Sequence, residues 1–194
     1  MLASLHIRKT VFAVAVFLAA CAGCKAVTRT SVPAPIRDAA LAQAPGKQTT
    51  VFAGGFFWDM QSVFERVKGV VVTTAGYAGG SAATATYSQV ITETTGHAES
   101  VKVACDPSKI THGRLLQIFF SVVRDPTQLN QQEPDVGTSY RTAIFYADAE
   151  QQKISLTYIA QLDAAHAIGA MCYLSAGLPR STRRQNQRMG RKGI

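Results

Sequence analysis

The stretch Ala53-Gly54-Gly55-Phe56-Phe57-Trp58-Asp59 decides the fold of this chain, because it joins a predicted strand at 49–53 to a predicted helix. Its two glycines let the backbone approach a bound group closely. A glycine-rich turn that opens a helix also presents backbone N–H groups and the positive end of the helix dipole. Trp58 is the only tryptophan of the chain. We therefore expect a ligand-binding turn with a reactive side chain, and the residue at that position is Phe56.

The charge of the chain lies at its two ends. Of a formal net charge of +8, residues 1–20 contribute +2 and residues 180–194 contribute +6, which leaves the body at 21–179 neutral. This distribution argues against a nucleic-acid-binding surface on the body, and no nucleic-acid partner is expected. With 194 residues, 47% of them hydrophobic and 16% charged, the chain is long enough for one globular domain.

The N-terminus has the features of a targeting segment. Arg8 and Lys9 precede an apolar stretch at 10–20 that is too short to span a bilayer. It ends in Leu18-Ala19-Ala20-Cys21, which resembles the lipobox of bacterial lipoproteins and predicts that Cys21 is lipidated. The alternative is an ordinary signal peptide with a chance cysteine. Both place the body outside the cytoplasm, where disulfides persist. The lipobox predicts a lipid-anchored protein of the bacterial cell envelope, on the periplasmic side.

Residues 21–48 lack hydrophobic periodicity and contain three prolines, so they are predicted to be a flexible tether. A domain is predicted at 49–168, and a basic tail at 169–194. Within the domain Asp148 and Gln151 form a capping box at the start of a helix. The polar loop at 124–137 is long for a compact domain and is therefore expected to be functional. The irregular alternation favours an α+β class over a doubly wound sheet. The predicted strands are 49–53, 70–74, 88–92, 101–105 and 141–146, and the predicted helices begin at 57, 111 and 149.

Six motifs in this order and spacing resemble the methionine sulfoxide reductase A family over residues 49–168. They are Ala53-Gly54-Gly55-x-Phe57-Trp58, Gly76-Tyr77-Ala78-Gly79-Gly80, Thr95-Gly96-His97-Ala98-Glu99, Asp106-Pro107, Asp125-Pro126-Thr127-Gln128-Leu129-Asn130, and Asp135-Val136-Gly137-Thr138 with Tyr140-Arg141. The resemblance implies a two-layer α/β sandwich around a mixed sheet with a ferredoxin-like core. It also implies reduction of the S epimer of methionine sulfoxide, free or in proteins, without a bound cofactor or metal.

The resemblance also implies roles for particular residues. A thiolate attacks the sulfoxide sulfur while an acid protonates the oxygen, and the resulting sulfenic acid is resolved by a second thiol and a thioredoxin-like or other dithiol donor. An aromatic-lined pocket would raise the pKa of the acid and keep it protonated. The acid would otherwise be a solvated surface group, and the tyrosines half-buried residues at strand ends. The resemblance assigns these roles to positions of this chain as follows. Phe56 stands at the position of the nucleophile, Glu99 at that of the acid, and Tyr77, Tyr140 and Asp125 form the oxygen site. Phe57 and Trp58 form the apolar wall, and Gly54 and Gly55 form the turn on the substrate side.

Two departures from the family pattern bear on activity. Phe56 replaces the nucleophilic cysteine, and phenylalanine cannot form a sulfenic acid. Cys105 lies about 20 Å along its strand from Glu99, so it is a poor substitute. The tail after residue 168 matches nothing in the family, and its abruptness suggests a changed reading frame. The alternative is a basic patch for nucleic acid or anionic lipid, which the lack of interleaved aromatic residues and of amphipathic spacing disfavours. Smaller departures are Asp59 for a glycine and Arg124 for a histidine.

Three hypotheses remain open at this point. The first is a reductase that is catalytically impaired or dead. The second is an active enzyme whose Phe56 is a sequence error. The third is a membrane-anchored, non-catalytic binding module for methionine sulfoxide or a similar ligand. A monomer is expected in each case. A structural role is expected for Cys105 and Cys172.

Overall fold

A mixed five-stranded sheet forms the centre of the protein. The structure is a computed structural model that describes residues 32–123, 130–132, 134–165 and 173–175, with backbone alone at 122–123 and 173–175. The strands of the sheet are β1 (Gln48–Ala53), β2 (Val70–Ala78), β3 (Ala98–Cys105), β6 (Ala143–Phe145) and β7 (Tyr173–Ser175), and β4 (Gln131–Gln132) and β5 (Asp135–Val136) form a separate hairpin. The helices are α1 (Phe57–Phe64), α2 (Tyr87–Val90), α3 (His112–Ile118) and α4 (Ala149–Ala164).

The strand order is β2-β3-β1-β6-β7, and all neighbours are antiparallel except the parallel pair β6 and β7. This arrangement confirms the predicted α+β class with a mixed sheet. The pairing also fixes the two ends of the sheet, because Tyr77 lies opposite Glu99 and Val70 lies opposite Cys105. The glycine-rich turn follows β1 at the end that holds Glu99.

The hydrophobic core lies between one face of the sheet and the helices. Phe52 of β1 stacks on Phe64 at a centroid distance of 5.1 Å and on Phe119, also at 5.1 Å. Val101 and Val103, which alternate with polar residues in the sequence, are fully buried on the same face. Such interlocking aromatic and β-branched side chains supply the apolar burial that stabilises the domain.

A buried histidine links the sheet to the helices inside the core. His112, at the start of α3, places Nδ1 3.1 Å from the hydroxyl of Thr50 in β1 and Nε2 2.9 Å from the hydroxyl of Ser155 in α4. Burial lowers the pKa of His112 to about 4, so the ring is neutral at pH 7. The three side chains thereby connect the sheet to two helices.

The segment at 32–47 differs from the flexible tether predicted for 21–48. Val32 is buried, the Tyr158 hydroxyl donates to the carbonyl of Pro33 at 2.6 Å, and the Gln161 amide donates to that of Ala34 at 2.8 Å. A proline-containing stretch has no hydrogen bonds of its own, but these side chains of α4 supply donors for its carbonyls. Residues 32–47 therefore belong to the surface of the domain, and residues 21–31 lie outside the described part of the chain.

Residues 88–92, predicted as a strand, lie instead in and after the short helix α2. The Val90 amide donates to the Thr86 carbonyl at 2.9 Å, and the Val90 side chain packs into the core. Thr86 also bonds the Gln89 side chain, so a local turn satisfies the polar groups that a strand would have left to a neighbour. Across the described residues, no helix is long and apolar enough to cross a membrane.

Candidate active site

The turn between β1 and α1 can adopt its conformation only with glycine at one position. Gly55 has φ +95°, and a Cβ added to it would lie 1.8 Å from Oε1 of Gln132. Phe56 follows as the N-cap of α1 with φ −60° and ψ 120°, an extended conformation that any residue can adopt. The backbone conformation therefore does not restrict which residue can occupy position 56.

Two side chains from distant parts of the chain accept the first backbone N–H groups of this turn. The Phe57 amide donates to Oε2 of Glu99 at 3.2 Å, and the Phe56 amide donates to Oε1 of Gln132 at 2.7 Å. The Gln132 amide group then donates to the Asp59 carboxylate at 3.0 Å. The start of α1 is thus bonded both to β3 and to the β4–β5 hairpin, which satisfies N–H groups that lack partners inside the helix.

Glu99 has the properties of a general acid. Its side chain is buried near the start of β3, and burial raises its pKa to about 7, although the hydrogen bond from Phe57 acts in the opposite direction. The negative charges of Asp135 and Glu93 contribute to this raised pKa in the same direction as burial. A carboxyl group with this pKa is available near neutral pH to protonate an oxygen.

Aromatic residues flank Glu99, since the Phe57 amide is bonded to its carboxyl group and Tyr77 lies opposite it in the sheet. Phe57 is buried and lies 5.8 Å from the Tyr77 ring and 5.2 Å from the Trp58 ring, measured between centroids. Trp58 is 47% exposed, so this wall reaches the protein surface. Phe56 packs edge-on against Tyr140 with centroids 5.5 Å apart. The ring at position 56 therefore occupies the space beside the tyrosine.

The turn that precedes Tyr140 is held by the carboxylate of Glu93. Glu93 accepts hydrogen bonds from the Thr138 hydroxyl at 2.9 Å and from the Ser139 amide and hydroxyl at 2.8 and 2.6 Å. Burial, together with the charges of Glu99, Asp135 and Glu93, raises the pKa of Tyr140 to about 12. Its phenol group is consequently a hydrogen-bond donor throughout the physiological pH range.

Arg141 connects this turn to the start of β3. Its guanidinium donates to the carbonyls of His97 and Gly96, each at 2.8 Å, and to that of Thr138 at 2.9 Å. Because the two segments are thereby clamped together, Tyr140 and Glu99 keep a fixed relative position.

The structure brings together eight of the site residues predicted from the sequence. It leaves Asp125 and Cys21 outside the described residues. Cys105 lies at the far end of β3, fully buried, and burial raises its pKa, so this thiol is unreactive and remote from Glu99. The eight residues are Gly54, Gly55, Phe56, Phe57, Trp58, Tyr77, Glu99 and Tyr140.

Three residues of the site were not predicted. Asp135 lies close enough for its charge to act on both Glu99 and Tyr140, and its signal was its position in the same motif as Tyr140. Glu93 and Gln132 carried no sequence signal, because their hydrogen bonds join segments 46 and 76 residues apart. As a whole the site can hold and protonate an oxygen, but it offers no nucleophile at position 56.

Comparisons with known proteins agree with this geometry. The family model described as peptide methionine sulfoxide reductase matches residues 48–174. Peptide methionine sulfoxide reductase MsrA 2 of Mesorhizobium japonicum is 54% identical over 122 residues, 63% of each chain. The MsrA of Pasteurella multocida is 49% identical over 115 residues, 59% of this chain and 66% of that one. The chain therefore spans slightly under two thirds of the length of these relatives.

Solved structures give the same result. Methionine sulfoxide reductase A of Corynebacterium diphtheriae is similar with a TM-score of 0.56 and 32% identity, covering 70% of this chain and 66% of that one. Mxr1 of Saccharomyces cerevisiae in its reduced form has the same fold, with a TM-score of 0.60 at 23% identity over 72% of this chain and 83% of its own. With its glycine turn, buried acid and aromatic wall in a matching fold, the chain belongs to the peptide methionine sulfoxide reductase family.

Proposed function

We propose that this protein is a methionine sulfoxide reductase whose binding pocket is kept and whose first chemical step is lost. The observation that supports this proposal is Phe56, which packs against Tyr140 and directly precedes Phe57, whose amide is bonded to Glu99. The reaction requires a cysteine thiolate to attack the sulfoxide sulfur while the acid protonates the oxygen. The step yields methionine and leaves the oxygen on the cysteine as a sulfenic acid. Phenylalanine can neither attack nor accept the oxygen.

Substitution of Phe56 by cysteine tests this proposal directly. The assay measures methionine formed from a peptide that contains methionine S-sulfoxide, with dithiothreitol as reductant. We expect background activity for the unmodified chain and clear turnover for Phe56→Cys. Turnover by the unmodified chain above a heat-killed control would refute the proposed loss of activity.

Two further variants separate the thiol from the space that the ring vacates. Phe56→Ser removes the ring without supplying a thiol and should remain inactive. Adding Glu99→Gln to Phe56→Cys should lower the turnover by about 10²-fold or more, since general acid catalysis typically contributes that much. If Phe56→Cys were no more active than Phe56→Ser, the pocket would not be intact.

The electron donor of such a revived enzyme is proposed to be a small dithiol in preference to a thioredoxin-like protein. Cys105 is buried at the far end of β3 and cannot reach position 56 to resolve a sulfenic acid. Dithiothreitol enters the site directly and needs no second protein cysteine. Equal rates of reduction with dithiothreitol and with a thioredoxin would contradict the proposed preference for a small dithiol.

A second candidate function is binding of methionine sulfoxide without chemistry. The buried acid Glu99 and the half-exposed Trp58 support it, because both would contact such a ligand in the family's pocket. Trp58 fluorescence should then change in a saturable way with an S-sulfoxide peptide and not with the reduced peptide. The absence of any saturable change would exclude this function.

The location of the protein is part of the same proposal. The lipobox-like sequence at 18–21 supports anchoring of the mature chain to a membrane of the cell envelope through Cys21. Mass spectrometry of the protein isolated from membranes should find acyl chains on Cys21 and none on a Cys21→Ser variant. A soluble, unacylated product from the unmodified gene would refute the anchor.

A further inference from the structure

A groove of about 520 Å³ lies at the opposite end of the sheet from Glu99. One wall is the turn after α1, with Val67 and Lys68, and the other is α3 together with the residues just before it. Gly69 lies between them with φ +99°, and a Cβ there would meet Ile110 at 2.8 Å, so the two walls are in close contact at the base. Glu99 and the Val70 end of the sheet are separated by the length of β3, about 20 Å. The groove is therefore distinct from the candidate active site.

The groove is apolar in part. Val67 and Ile118 are partly buried side chains that pack against the core, and Ile110 is buried beneath them. Leu41, from the segment at 32–47, lines the same groove and is 49% exposed. These four aliphatic side chains form a surface that excludes water from an apolar ligand.

The groove is also cationic. Among the described residues, Lys68, Lys109 and Arg114 line it and no acidic residue does. Lys109 pairs with Asp106 at 3.1 Å. In the described part of the chain the only other ion pair is between Arg37 and Glu150, so Lys68 and Arg114 have no carboxylate partner there.

The carboxylate of Asp38 lies next to Thr111 of the groove and is bonded to the start of α3. Asp38 accepts hydrogen bonds from the Thr111 hydroxyl and from the Gly113 amide at 2.9 Å, at the start of α3. Its charge is therefore directed at the helix N-terminus, a favourable position for an anion. Two exposed positive charges beside an aliphatic surface thus have no carboxylate partner in the described part of the chain.

We propose that this groove binds an anionic phospholipid. One acyl chain would lie on the aliphatic surface, and the phosphate would lie between Lys68 and Arg114. A neutral apolar ligand would desolvate these cations without compensation, and a small inorganic anion would leave the aliphatic surface unused. A volume of about 520 Å³ falls in the usual range for such a site.

The position of the N-terminal segment supports a lipid as the ligand. The Gln117 amide donates to the Val32 carbonyl at 3.1 Å, and Gln117 adjoins Ile118 of the groove. The first described residue is therefore fixed beside the helix that lines the groove. Cys21 lies eleven residues before Val32, which spans at most about 40 Å. An acylated Cys21 would keep this face near a membrane, but the lipid site itself does not depend on acylation.

Calorimetric titration of the purified chain with dioctanoyl phosphatidylglycerol below its micelle concentration tests the site. Lys68→Glu and Arg114→Glu should each weaken binding by about two- to fivefold, since an exposed charge pair is worth up to about 1 kcal/mol. The matched control Lys153→Glu, an exposed lysine on α4, should bind like the unmodified chain.

A second pair of variants tests the aliphatic surface. Leu41→Ser should weaken binding by about fivefold, because it removes an apolar contact of order 1 kcal/mol. Leu156→Ser is the control, since Leu156 is 50% exposed but lies on α4 outside the groove. Circular dichroism of each variant confirms that the fold is unchanged.

Three outcomes would overturn the proposal. Dioctanoyl phosphatidylcholine could bind as tightly as phosphatidylglycerol, which would remove the role of charge. Glycerol 3-phosphate could bind equally well, which would remove the role of the acyl chain. Finally, phosphatidylglycerol binding could be insensitive to the groove variants, which would assign it to the basic residues at 180–194, since these are present in every variant.

Discussion

Removal of the Gln132 side chain tests whether the β4–β5 hairpin holds the turn at the start of α1. The substitution Gln132→Ala deletes the acceptor of the Phe56 amide and the donor to Asp59. The Phe56 amide would be left without its partner in a partly buried position. The second bond is weaker in effect, because the Asp59 side chain is exposed to water.

The expected cost follows from these two bonds. A neutral hydrogen bond contributes about 0.5–1.5 kcal/mol to the free energy of unfolding. The bond to the exposed carboxylate contributes up to about 1 kcal/mol. We therefore expect Gln132→Ala to lose about 1–2 kcal/mol, which lowers the urea midpoint by roughly 0.5–1 M for a slope of about 2 kcal/mol/M.

Trp58 fluorescence provides the measurement, because the chain has no other tryptophan and this one lies two residues from Phe56. Urea unfolding gives the loss of stability, and acrylamide quenching should report a more accessible indole in the native Gln132→Ala protein. Gln152→Ala, a partly exposed glutamine of α4, is the control. Equal urea midpoints and equal quenching for the two variants would refute the reasoning.

A charge variant separates the two bonds. Gln132→Glu keeps an acceptor for the Phe56 amide but places a second carboxylate beside Asp59. It should be destabilised by this repulsion, and Asp59→Asn in the same chain should restore part of the loss. If Asp59→Asn had the same effect with glutamine or glutamate at position 132, the proposed contact would be absent.

Three other changes have expected outcomes. Burial lowers the pKa of His112 to about 4, so below pH 6.5 the unfolded chain binds more protons than the folded one. The free energy of unfolding should therefore fall as the pH falls. Between pH 7.5 and 5 the unmodified chain should lose about 2 kcal/mol more of this free energy than His112→Gln, measured by urea unfolding. The raised pKa of Glu99 acts in the opposite sense in both proteins, so equal losses would contradict the assignment to His112. Gly55→Ala should destabilise far more than Gly96→Ala, because both have positive φ but only the first Cβ meets another atom within 4 Å; similar melting temperatures would contradict this. Asp148→Ala should cost about 1 kcal/mol in thermal unfolding through loss of the N-cap of α4, and an unchanged melting temperature would show that the cap contributes nothing.

Local features were predictable from the sequence. The capping box at 148–151 is present, with the Asp148 carboxylate accepting from the Gln151 amide at 2.8 Å. The Gln151 side chain differs in one detail, since it accepts from the Ala147 amide and not from that of Asp148. The glycine turn and the buried face of β3 were also predictable, because spacing within a few residues determines them.

Features that depend on distant partners were not predictable. The bond from Gln132 to the Phe56 amide joins residues 76 apart, and the one from Tyr158 to the Pro33 carbonyl joins residues 125 apart. The strand predicted at 88–92 is wrong for a related reason. A stretch of five residues has a weak intrinsic preference, and the turn begun by Thr86 was sufficient to make it helical.

The extended backbone at position 56 has a consequence for how such a protein changes over generations. The amides on either side of the turn are bonded to side chains from elsewhere, and the dihedral angles at 56 suit any residue. The fold therefore derives none of its backbone support from the sulfur of a nucleophile. Selection for folding alone would therefore not act against a mutation that removes the thiol. Only selection for the reaction itself would keep a cysteine at this position.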